Sequence, residues 1–165
     1  MSNYENHNPI SPKLVARWFV NHADRDAGEA VTHLKLQKLV YYAEAWFLAN
    51  FDRPLTTRNF EAWAHGPVVR DLYAKYRDHS WDALPPEAGA QPTKEIQEFL
   101  AAVYDEYGQF SAKHLERMTH QEDPWKNARG GLPPEAASKT VIPKLEIRNF
   151  YAKRLGKEEI KQLQD

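Results

Sequence analysis

Residues 35–81 read KLQKLVYYAEAWFLANFDRPLTTRNFEAWAHGPVVRDLYAKYRDHSW, and this run decides the fold. At about 100° per residue, Leu36, Leu39, Val40, Ala43, Trp46 and Phe47 fall within an arc of about 120°. Leu34, Tyr41, Ala45 and Leu48 form a second apolar stripe on the opposite side, with Lys35, Gln37, Lys38 and Glu44 between the two. A helix that is apolar on two sides is either sandwiched inside its own domain or half reserved for a partner. Sandwiching is the expectation. Thr32 is the predicted N-cap, and Asp52-Arg53-Pro54 ends the helix because proline blocks its continuation. Phe60 and Ala62 alternate with Glu61 and Trp63, which reads as a brief strand or the start of a turn. His65-Gly66-Pro67 is a turn signal, with Pro67 placed to open a second helix. On that helix Val68, Val69, Leu72, Tyr73 and Tyr76 share one face.

Outward from this run, Ser11-Pro12 opens a first helix by the same capping logic. Its Leu14, Val15, Trp18 and Phe19 lie on one side, with His22 on the same face. Asp24–Glu29 is a polar turn. Residues 80–91 form a Pro/Gly loop. The helix after Thr93 aligns Ile96, Phe99, Leu100, Val103, Tyr104 and Tyr107, and Gly108 ends it. Ser111 caps a short helix carrying Leu115 and Met118, and Pro124 interrupts the chain before Trp125. A second Pro/Gly loop covers 130–138, and a last helix runs from about Lys144 to Leu155. Leu-Pro-Pro-Glu-Ala occurs at 84–88 and again at 132–136, but the flanks do not match, so no repeat architecture follows. The expected fold is mainly α, a compact single domain of about five to six helices. At most a minor short β-hairpin is expected, from extended pieces near Phe60 and Val141. Residues 1–11 read as a polar N-terminal extension, 12–155 as the domain, and 156–165, after Gly156, as a charged C-terminal tail.

The chain has 165 residues, enough to bury about two thirds of its unfolded surface in one core. It has no cysteine, which removes disulfides, thiolate metal sites and a cysteine nucleophile. The formal net charge of −1 gives no global basic field for nucleic acid. Charge is uneven: residues 93–123 are acid-rich and 139–165 base-rich, an arrangement that can steer a charged partner or simply be solvated helix surface. The polar start MSNYENHNPIS lacks a signal-peptide core, and no apolar run approaches the roughly 20 residues of a membrane span. The expectation is a cytoplasmic protein that meets no membrane.

No chemical signature stands out. The seven glycines form no phosphate-cradling loop. His114, His120, Glu116, Glu122 and Asp123 could gather N/O metal ligands, but their spacing matches no common zinc pattern, and capping or ion pairing is the simpler reading. Glu61, His65 and Asp71 could form an acid–base group, yet no nucleophile accompanies them. Catalytic residues, metal and cofactors are therefore all expected to be none. Arg70, Lys75 and Arg77 share a helix with Asp71 and Asp78, a poor nucleic-acid stripe, and the base-rich C-terminal segment is the better candidate for one.

The order Lys35-Leu36-Gln37-Lys38-Leu39-Val40-Tyr41-Tyr42-Ala43, Trp46, Arg53-Pro54-Leu55, Phe60-Glu61-Ala62-Trp63-Ala64-His65-Gly66-Pro67-Val68 and Leu72-Tyr73 resembles the Panacea domain of SocA-like antitoxins, a phage-associated family formerly described as a domain of unknown function. Leu115, Thr119-His120 and Pro124-Trp125 extend the likeness, so that it covers about Pro12 to Leu155. The resemblance implies an antitoxin of a two-gene toxin–antitoxin system that neutralises its toxin by direct protein contact, and no enzyme. One family member instead delivers its toxin to an AAA+ protease as an adaptor. Some members carry an added DNA-binding domain, for which the short flanks here leave no room. The partners implied are a cognate toxin from the adjacent gene and, in the adaptor mode, an AAA+ protease; the sequence leaves the oligomeric state open, a homo-oligomer included. Aromatic residues and arginine are enriched at binding hot spots. On that basis Tyr41, Trp63, His65, Arg70, Tyr73 and Arg77 are the candidate partner contacts, whereas Trp46, Gly66 and Pro67 read as frame.

Overall fold

Thr32 starts the element around which the rest is built. Its side chain accepts a hydrogen bond from Lys35 N, and helix α2 runs from His33 to Phe51. The computed structural model describes residues 3–164. Around α2 stand α1 (Pro12–His22), α3 (Arg70–Tyr76), α4 (Lys94–Tyr107), α5 (Ala112–His120) and α7 (Lys144–Ala152), all in contact with it. Helix α6 (Asp123–Arg129) joins α5 to the last segment. Most of α2's 19 residues are buried, so its two-sided apolar pattern is a sandwiched helix. Leu36, Leu39, Val40, Tyr41, Tyr42, Ala43, Phe47 and Leu48 are all 0–1% exposed.

The predicted caps at Ser11 and Ser111 accept a backbone N–H at the start of α1 and α5, and Thr93 does the same at the start of α4. Three details differ from the sequence reading. There are seven α-helices among the described residues, not five to six. The extra one is α6, where Pro124 occupies the first turn instead of interrupting the chain. A proline there forfeits no intrahelical hydrogen bond. Pro67 does not open α3. It sits in strand β2 (Gly66–Val68) opposite Ala62 of β1 (Phe60–Trp63), and α3 begins at Arg70. The β content also exceeds a minor hairpin. β3 (Val141–Ile142) pairs antiparallel with β1 through Phe60–Ile142 and Glu61–Val141, giving a three-stranded sheet in the order β2-β1-β3.

Gly108 does end α4, but it keeps right-handed helical φ and ψ. A Cβ there would lie 2.6 Å from Tyr104 O and 2.7 Å from its ring, so close packing is what requires glycine.

Two buried carboxylates stitch the elements together. Glu44, in the middle of α2, accepts from Leu55 N, Thr56 N, Thr56 Oγ1 and Lys144 Nζ at 2.5–3.1 Å. It thereby holds the chain leaving α2 against the first turn of α7. Glu122 accepts from Tyr42 OH (2.7 Å), Tyr151 OH (2.9 Å) and Arg154 Nη2 (3.0 Å). The first and last described segments are both anchored to α2 or α4 or to the residues that end α2. Tyr4 stacks on Phe51 and donates to Glu95 O. Beyond Gly156, Lys157 reaches Ala49 O and Asp52, while Gln164 N donates to Asp52 O.

The two Leu-Pro-Pro-Glu-Ala stretches serve unrelated purposes. In the first, Glu87 gathers Arg17, Lys75 and Tyr76. In the second, the carbonyls of Pro133 and Ala136 accept from Arg129.

Candidate functional site

Strands β1 and β2 are joined by Ala64-His65, and Gly66 follows at φ +111°, a conformation side chains rarely adopt. This tight hairpin pushes His65 into solvent. On one side of it, Glu61 accepts from Trp63 Nε1 and Arg70 Nη2, both at 2.9 Å. Burial raises the Glu61 carboxyl, but these two donors outweigh it and hold it below the usual range. The Trp63 ring lies 4.9 Å from that of Tyr73, which lies 5.3 Å from that of His33. Trp63, Arg70 and Tyr73 thus form one contiguous rim, with His65 at its tip and exposed Arg77 at the far end of α3. Tyr41 does not belong to it. It is 1% exposed and packs edge-on against Phe60 and Tyr151, because the stripe assigned to it faces the sheet and α7.

The predicted acid–base trio is not brought together. Glu61 is held by Trp63 and Arg70, Asp71 pairs with Arg58 at 2.8 Å, and His65 faces Glu116 with Nδ1 to Oε1 at 3.1 Å. The candidate metal ligands also part. His114 stacks on Phe110, His120 stacks on Trp125 at 4.0 Å, and Glu122 points inward to its tyrosines. Among the described residues no three His, Asp or Glu side chains gather as a ligand set. The base-rich C-terminal segment is consumed internally: Lys144, Arg148, Arg154 and Lys157 hold Glu44, Asp52, Glu122 and Asp52 respectively.

Beside the hairpin lies a groove of about 310 Å³ whose walls include Thr32, Leu34, His65, Trp81 and Ser111. Trp81 is 77% exposed at its edge. The groove also touches Lys38, and this residue is what the sequence reading missed. Lys38 is 1% exposed, and its Nζ has no hydrogen-bond partner among the described residues. Burial pulls its ammonium down to about 8, with Glu116 acting weakly in the other direction. Gly66 makes room for it: a Cβ at that position would lie 2.6 Å from Lys38 Cε. Burial also pushes His33 and His120 below the ordinary imidazole value, and Lys38 adds to both shifts. Glu116 is held low: burial raises it, but hydrogen bonds from His65 and Lys113 prevail. The signal was present in the spacing. Lys38 falls four residues after Leu34 and three before Tyr41, inside the second apolar stripe and not between stripes.

The comparisons accord with this frame. A family model described as "Antitoxin SocA-like, Panacea domain" matches residues 36–126, more than half of the chain. Antitoxin SocA of Caulobacter vibrioides (strain NA1000 / CB15N) is 50% identical over 43 residues, which cover 26% of this chain and 23% of that relative. No solved structure matches. Among the described residues no helix is long and apolar enough to cross a membrane. The matched segment runs from Leu36 in α2 through the hairpin, most of the groove's lining and α5 to Lys126, and on it the chain belongs to the SocA-like antitoxin family, as a Panacea domain.

Proposed function

We propose that this protein is an antitoxin that neutralises a cognate toxin protein by binding it directly, without catalysis. The observation that carries this reading is the family match over residues 36–126, because the partly exposed hairpin rim and Trp81 lie within it. Trp63, His65, Arg70, Tyr73 and Arg77, with Trp81 beside them, combine aromatic area with arginine, the composition of interface hot spots. The hairpin that carries Trp63 and His65 is tied into the fold: β1 is the central strand of the sheet, and Trp125 Nε1 donates to Trp63 O at 2.8 Å. Such pre-organisation lowers the ordering cost of binding.

The test is to express the protein with the product of the adjacent gene in a growth assay, and to co-purify the pair. Restored growth with a stable complex is expected, and Arg70→Glu combined with Arg77→Glu should weaken both while leaving the circular dichroism spectrum unchanged. Absence of both rescue and complex overturns the reading. Rescue accompanied by a shortened toxin half-life would instead assign the adaptor mode, with an AAA+ protease as second partner.

A further inference from the structure

The groove beside the hairpin gathers three sources of positive potential that the fold itself leaves unused. The first is Lys38 Nζ, buried and, among the described residues, without an acceptor. The second is the N-terminus of α5. Ser111, Ala112 and Lys113 line the groove, and only His114 N is capped by the Ser111 side chain. The third is the N-terminus of α2. Thr32 and Leu34 line the opposite wall, and the Thr32 side chain serves Lys35 N alone. The leading N–H groups of each helix have no intrahelical partner, and the helix dipole adds positive potential there. Glu116 is the carboxylate among the lining residues, and it is occupied by His65 Nδ1 at 3.1 Å and Lys113 Nζ at 3.3 Å. The remaining walls are largely apolar, with Leu34, Ala112 and exposed Trp81.

An unpaired ammonium inside a fold is destabilising, and a methionine would fill the same space without that penalty. The fold keeps the lysine and places a glycine opposite it. We propose that the groove is a carboxylate receptor: it takes an aspartate or glutamate side chain flanked by apolar residues on the toxin, with Lys38 and the N-terminus of α5 holding the carboxylate and Trp81 covering its apolar neighbours. This inference rests on the antitoxin reading for the identity of the partner, but not for the chemistry of the site. A single negative charge with an apolar neighbour suits one ammonium in an apolar groove. A phosphate would bring more charge against Glu116.

Two arms test it. In the first, the protein with its lysine and tryptophan side chains isotope-labelled is titrated with sodium hexanoate, hexanamide and inorganic phosphate while the Lys38 Hε/Cε and Trp81 indole resonances are followed. Hexanoate should shift both resonances saturably, hexanamide at the same concentrations should not, and phosphate should compete at least tenfold more weakly. Lys38→Met should abolish the Trp81 shift while remaining folded, with a melting temperature at or above that of the parent. Equal shifts with hexanamide, stronger competition by phosphate, or an unchanged Trp81 shift in Lys38→Met overturns the proposal.

In the second arm, toxin binding should weaken at least tenfold in Lys38→Met and in Trp81→Ala, the latter altering an exposed side chain outside the core. Full-strength toxin binding by both variants overturns the receptor and leaves the antitoxin reading intact. A toxin that binds neither parent nor variants, together with intact hexanoate binding, overturns the antitoxin reading and the toxin as ligand while leaving a carboxylate site.

Discussion

Lys38 and Glu44 lie six residues apart on α2, both buried and both charged, and the protein treats them oppositely. Glu44 is met by two backbone N–H groups, a hydroxyl and an ammonium. Lys38 is met by none among the described residues, although the turn beside it is shaped to leave it space. A buried ion with its hydrogen bonds satisfied fixes geometry, whereas one left unsatisfied is retained against the interest of stability. The contrast separates frame from function within a single helix: Glu44 builds the domain, and Lys38 is available to something else.

The largest expected effect attacks the satisfied end. Glu44→Ala leaves Leu55 N, Thr56 N and the Thr56 hydroxyl without their acceptor and the part-buried Lys144 ammonium without its counter-charge, holding only Thr56 O among the described residues, and should destabilise by about 3–5 kcal/mol in urea unfolding. A loss below about 1 kcal/mol would mean that Glu44 is not the clamp described.

Lys38→Met should act with the opposite sign, stabilising by up to about 3 kcal/mol at pH 7. The pH dependence follows from the lowered ammonium. Below about 8 both the folded and unfolded chains carry the Lys38 proton, and the penalty for burying it is complete. Between about 8 and the ordinary value of 10.5 the unfolded chain binds more of that proton than the folded one, so parental stability rises with pH across this window. Urea unfolding at several pH values, read as parent minus Lys38→Met, isolates the lysine from the tyrosines that titrate nearby. A flat difference would show that Lys38 is not desolvated.

Gly66→Ala should cost about 1–2 kcal/mol through its positive φ and its collision with Lys38. In a Lys38→Ala background the collision part should vanish, so the double-mutant cycle should be non-additive. Strict additivity would separate the turn from the lysine. The smallest effect is expected at Arg58→Ala, whose pair with Asp71 is exposed on both sides. It should change the melting free energy by less than about 0.5 kcal/mol.

Much of the frame was legible because its signals are local. Ser11, Thr32, Thr93 and Ser111 announce helix starts through a side chain two or three residues from its target. The two apolar stripes of α2 announce a sandwiched helix. Other features depended on distant chain. β3 is two residues long, and only its pairing with Phe60 and Glu61 makes it a strand. Pro124 reads as a breaker until the first-turn position it occupies is seen. At the candidate site, His65, Arg70 and Arg77 lie exposed and Trp63 and Tyr73 half-buried, a gradation that residue type alone does not give, and the burial of Tyr41 depended on the sheet and α7. The isolation of Lys38 was hidden by the habit of placing lysine in solvent, although its spacing from Leu34 and Tyr41 put it on a buried stripe.

The sheet and the Glu44 clamp carry a consequence for how the chain is made. β1 receives β2 within a few residues, but its other edge waits for Val141 and Ile142, and Glu44 waits for Lys144. During synthesis, α2 therefore leaves the ribosome long before the segments that enclose it. Until they arrive, Tyr41, Tyr42 and the Glu44 carboxylate lack their cover. A nascent or truncated chain ending before α7 should present an open apolar helix to chaperones and proteases.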